Sequence, residues 1–226
     1  VMKRIFLLLF LFSAGCSDSP ADKITNAMCF GAVPISDVSI KFKSDQPGRN
    51  GQLIDMEGVV PFDIKKEQVK PTILAAFKDL LKKHPESKDI FVGLLPDRRL
   101  HQFVGHASYH SGTVSIHYGI PSEAEMDKKN ANIGKSVPGG IFGEDKEHMI
   151  IIDHPRLYRP DRATFEKIIW IKEAVAMHDN KSINSKSLCK KISTASKTPL
   201  ADVEQLYWLM NFYYSSGFYG EESIRL

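Results

Sequence analysis

The chain has 226 residues, 42% of them hydrophobic and 25% charged, with 30 Lys and Arg against 27 Asp and Glu. These are the proportions of an ordinary globular protein. A net charge of +3 leaves no electrostatic footprint for nucleic-acid binding, and no nucleic-acid partner is expected.

Lys3 and Arg4 precede an unbroken apolar run from Ile5 to Phe12, followed by the small residues Ser13-Ala14-Gly15. That is the layout of a secretory signal peptide, expected over residues 1–15. The run falls far short of the roughly 20 residues that span a bilayer. Its removal leaves about 210 residues, enough for one domain with or without a small appendage.

Ser13-Ala14-Gly15-Cys16 resembles the lipobox of bacterial lipoproteins. The resemblance covers only the first sixteen or so residues. It implies cleavage before Cys16 and acyl chains on that cysteine, a firmer hold on a membrane than one chain gives. By the same analogy, Ser17 favours the outer membrane over the inner. Ser13 and Gly15 also suit ordinary signal peptidase, so secretion without lipid is the rival. Residues 16–24 are expected to form a short polar tether.

With Cys16 assigned to the anchor, Cys29 and Cys189 remain. An oxidising periplasm permits a disulfide between them. Two unpaired buried thiols are an equal alternative. No paired-cysteine spacing points to zinc.

Val38 to Lys43 alternates as a strand does, and 46–51 is turn-rich. Gln52 to Val60 reads as a second strand. Pro71 is expected to open a helix carrying Ile73, Leu74, Phe77, Leu80 and Leu81 on one face, with His84-Pro85 ending it. Asp89 to Leu95 is a short apolar strand. Gln102 to His110 and Thr113 to Tyr118 flank Ser111-Gly112 and form the clearest hairpin.

Pro121 to Glu147 reads as a long polar loop, and His148 to Asp153 as a strand. Three helices follow. The first is Thr164 to Met177, with Phe165, Ile168, Ile169, Val175 and Ala176 on one side. The second is Lys186 to Ser196. The third is capped by Thr198 and started by Pro199. The sum is an α+β fold, an antiparallel sheet with helices on one face. An α+β domain is expected over 25–155 and a helical C-terminal part over 156–226.

The hairpin register pairs His106 with His117, Ser108 with Ser115 and His110 with Thr113, all on one face. Opposed residues lie about 5 Å apart at Cβ. His106 and His117, with His110 further along, are therefore candidate ligands for zinc or copper. A solvated polar face and a pH-sensitive histidine cluster are the other readings. Asp153-His154, with Arg156, Arg159 and Arg162, is a candidate for an anion site or a catalytic pair, or else a plain strand-to-helix connection. Gly134-Lys135-Ser136 lacks the upstream glycine of a phosphate loop.

Aromatic residues crowd the C-terminus. Trp170, Trp208 and Phe212 are candidate partner contacts, or else core of a buried helix. The expectation is a non-enzymatic envelope lipoprotein that binds another envelope protein. The alternative is a periplasmic metal-binding protein or metal-dependent hydrolase.

Overall fold

The computed structural model describes residues 19–43, 53–131, 157–178, 185–214 and 219–226. Six strands lie in chain order in one sheet: β1 (Ser36–Lys43), β2 (Leu53–Val59), β3 (Asp89–Leu95), β4 (Gly105–His110), β5 (Thr113–Tyr118) and β6 (Glu221–Arg225). All neighbours are antiparallel except β2 and β3. That parallel pair needs a crossover, and α2 (Lys66–Lys83) supplies it. The fold is α+β.

Side chains alternate across a strand, so register decides which residues meet α2. Ile54, Ile90, Tyr109 and Val114 stand in one row across the sheet, and Met56, Val92, Ala107 and Ile116 in the next. All eight are buried. Helix α2 covers them with Val69, Ile73, Phe77 and Leu80.

Helix α1 (Pro20–Lys23) packs on α2 and buries Ala21 and Ile24 in the same core. The Ser19 hydroxyl accepts from the Asp22 N–H at 3.3 Å and donates to its carboxylate at 2.7 Å. Pro20 fits the first helical position. Residues 19–24 are therefore folded structure, where a short polar tether was expected over 16–24; residues 16–18 lie outside the described residues.

Pro71 does not open α2, which begins at Lys66. Gln68 Oε1 accepts from the Lys65 N–H at 2.9 Å, and buried Val69 fixes the first turn on the sheet. Pro71 lies buried within the helix, where its missing N–H forgoes one bond.

Helix α3 (Glu123–Asn130) lies inside the stretch expected as loop. Ser122 and Glu125 form a reciprocal cap. The Ser122 hydroxyl accepts from the Glu125 N–H at 3.2 Å, and the Glu125 carboxylate accepts from the Ser122 N–H at 2.7 Å. The turn at 46–51, Gly134-Lys135-Ser136, the strand at 148–153 and Asp153, His154 and Arg156 lie outside the described residues. Arg159 donates to the Asp63 carbonyl at 3.0 Å and Arg162 pairs with Glu166 at 2.8 Å.

Helices α4 (Arg162–His178), α5 (Ser185–Ser196) and α6 (Leu200–Tyr214) enclose a second core around Phe165, Ile168, Leu188, Ile192 and Leu209. Because α5 and α6 both pack on α4, its buried face takes in Ile171 and Ala174, while Ala176 is exposed. The two cores meet where Phe62 packs on Phe165, at 5.9 Å between ring centroids. Arg99 reaches Glu166 at 3.1 Å, and the Lys172 ammonium donates to the Leu100 carbonyl. No helix among the described residues is long and apolar enough to cross a membrane.

The segment 156–226 is not helical throughout, because β6 returns to pair with β5. Its side chains alternate, with Ile224 beside Val114 on the core face. Glu222 pairs with Lys70 and accepts from the Tyr118 hydroxyl at 3.0 Å. Lys66 binds Glu125 at 2.8 Å and the Tyr219 carbonyl. The Leu226 N–H donates to the Gly112 carbonyl at 2.7 Å.

Both turn residues of the hairpin have positive φ, 46° at Ser111 and 84° at Gly112, as a tight two-residue turn requires. Gly112→Val places a branched side chain in that region and is expected to cost about 1–2 kcal/mol. Urea unfolding measures it; an unchanged midpoint would show that the turn does not hold the register.

Candidate functional site on the hairpin face

The hairpin register is the one the sequence implies: His106 opposite His117, Ser108 opposite Ser115, His110 opposite Thr113. These six side chains share the sheet face turned away from α2. Ser108, His110 and Thr113 are exposed, and the other three are half-buried.

His106 and His117 stack, with ring centroids 4.8 Å apart and planes 15° from parallel. Phe91 and Phe103 flank His106 at 5.7 Å and 5.6 Å. Phe103 also lies over Gly93, where a Cβ would fall 2.3 Å from its ring. This packing explains the state of His106. Burial, and then the neighbouring His117, hold its pKa below the ordinary 6.5.

His110 does not join that pair. Its Nδ1 lies 2.5 Å from the Asp89 carboxylate, and its Nε2 lies 3.2 Å from the Ser111 hydroxyl. Asp89 and His110 line a shallow cleft of about 560 Å³ with Lys43, Asp55, Phe91 and Ser108. Lys43 and Asp55 close its far side as an ion pair at 2.8 Å.

This arrangement does not fit the zinc or copper site expected from His106, His110 and His117. An imidazole binds a metal through a lone pair in the ring plane, at about 2.0–2.1 Å for zinc. Two nearly parallel rings send those lone pairs side by side, so they do not converge on one ion. Among the described residues no group of three His, Cys, Asp or Glu is placed to hold a metal.

The expected partner contacts are also placed differently. Trp208 is only 6% exposed and stacks on half-buried Phe212, because α6 is wrapped by α4 and α5. Trp170 is 38% exposed and is the one of the three that solvent reaches freely. The large exposed apolar side chains elsewhere include Phe30, at 88%, and the alternating Val38, Ile40 and Phe42 on edge strand β1. The alternation in β1 was visible in the sequence. That α2 leaves the edge of the sheet partly uncovered was not.

Cys29 and Cys189 are free thiols and not the disulfide weighed above. They belong to different cores: Cys29 packs beside the sheet core, and Cys189 is buried among α4–α6. Burial raises the pKa of both, that of Cys189 to about 12 with the charge of Glu204 adding to it. Cys16 lies outside the described residues.

The depressed pKa of His106 fixes the sign of an acid response. The unfolded chain takes up this proton near pH 6.5, the folded chain only at lower pH. The stability is kept above pH 6.5 and lost as pH falls through the folded value. His106→Phe keeps the aromatic packing and removes the proton site. Its urea midpoint should therefore drop less than that of the unaltered protein between about pH 7.5 and pH 5. Equal drops would show that His106 carries none of the acid response.

Comparison with family models, curated proteins and solved structures gives no match for the chain.

Proposed function

We propose that the chain is a lipoprotein of the bacterial envelope, held to its membrane, favoured as the outer one, by acyl chains on Cys16. In this reading it is a non-enzymatic module that binds another envelope protein. The observation that carries the reading is the run from Lys3 to Cys16, with its charges, apolar stretch and small residues in signal order. Ser19, three positions later, caps a helix that is packed into the core, which places the fold close to the anchor. Helix α1 lies on the α2 side of the sheet, so the anchor leaves from that side. The hairpin face then points away from the membrane, with Ser108, His110 and Thr113 open to a partner.

Intact mass of the membrane-bound protein tests the anchor. The expected mass is that of the chain from Cys16 plus acyl chains, with Cys16→Ser abolishing both the added mass and membrane retention. An unacylated mature chain in the soluble periplasm would overturn the reading.

One geometry favours a second reading. Ser111, His110 and Asp89 are linked in the atom order of a nucleophile, its base and an orienting carboxylate. The site would then attack an acyl group from Ser111. It ranks second because the His110 side chain is 73% exposed, and water weakens the electrostatic help such a relay gives. A fluorophosphonate probe discriminates. Labelling lost in Ser111→Ala and in His110→Gln would favour the hydrolase reading, and an unlabelled protein would remove it.

A further inference from the structure

The short distance between the anchor and the fold has a geometric consequence. Consecutive Cα atoms are 3.8 Å apart, so Cys16 and Ser19 are at most about 11 Å apart however the chain runs between them. Ser19 caps α1, and α1 is fixed to α2 through Ala21 and Ile24, which are 2% and 0% exposed. The domain is thus joined to its acyl chains by a leash no longer than one helix is thick, about 10–12 Å with its side chains. Only the surface around α1 can come close to the lipid.

That surface has the composition of a membrane-facing one. Phe30, 88% exposed, stands on the turns that follow α1. Lys78 on α2 donates to the Asn26 side chain at 2.8 Å, in the same turns that carry Phe30. Lys78 and Lys82 both act on Asp22. Lys23 is exposed at the end of α1. Phe42, 50% exposed, lies against His84 just beyond the last turn of α2. Of the acidic groups here, Asp22 is bonded to Ser19 and Asp79 is paired with Lys83. An exposed aromatic side chain and lysines on one surface suit the boundary between acyl chains and anionic headgroups.

We infer that the anchored protein lies with this face on the bilayer, Phe30 entering the headgroup region and Lys23, Lys78 and Lys82 meeting lipid phosphates. The inference rests on acylation of Cys16 and adds the orientation. It gives a role to a phenylalanine that is 88% exposed and to the lysines of α1 and α2.

Lysine footprinting on the acylated full chain tests it. The protein is placed in vesicles of phosphatidylethanolamine and phosphatidylglycerol, and treated with an amine acetylating reagent. Modification at each lysine is read by mass spectrometry against Cys16→Ser protein in the same vesicles. Lys23 and Lys82 should be protected several-fold. Lys190 and Lys191, exposed on α5, should be unchanged. Phe30→Ser, a change at a solvent-exposed position, should reduce the protection while the acyl mass stays in place. Acylated protein with even protection, or with protection only at other lysines, would overturn the orientation alone. Protein without acyl mass would overturn the anchor and the orientation together.

Discussion

The rest of the structure depends on the burial of α2 against one face of the sheet. This helix joins β2 to β3, so a single element makes the parallel crossover and covers the core rows from β2 to β5. On the opposite face of the β4–β5 hairpin the side chains are left to water or to small local contacts. The polar character of the hairpin face, the stacking of His106 with His117 and the shallow cleft beside Asp89 follow from that division. Helix α1 adds to the same layer, which gives the domain one side built of helices and another built of strand surface.

The hairpin was legible because two signals agreed. Apolar residues alternate from Ala107 to Ile116, and Ser111-Gly112 fits the only turn that keeps their register. The pairing of His106 with His117 followed without further information. What the two rings do to each other did not, since it depends on Phe91 and Phe103, which come from outside the hairpin. His110 was read as their companion on the same face. Its partner is instead Asp89 on the adjacent strand, a contact that needs the order of the sheet.

The misread elements share a physical cause. Helix α3 has a single buried side chain, Met126, so it shows no apolar period; its sign was the Ser122-Glu125 spacing, which is local and easily passed over. Proline at 71 looked like a helix start because that is where proline costs least. The packing of Val69 and Ile73 on the sheet outweighs the bond it loses. Strand β6 carries two glutamates and an arginine in five residues, and only its position beside β5 makes it a strand. Trp208 resembled a contact residue by type, yet α4 and α5 wrap the helix that carries it.

Strand β6 also bears on how the molecule can assemble. Ser115 and Ser223, which face each other across β5 and β6, are 108 residues apart in the chain. Closing a loop of that length carries an entropic cost that local hairpins do not meet. The β4–β5 hairpin can form on its own, but its outer edge stays bare until the segment after the three C-terminal helices arrives. Synthesis runs from the N-terminus, so that segment arrives well after the hairpin. Until then β5 is an open edge that can recruit a foreign strand. Completion of the sheet therefore waits for the segment that carries β6, and Lys66, Lys70 and Tyr118 form the polar clamp that fastens it.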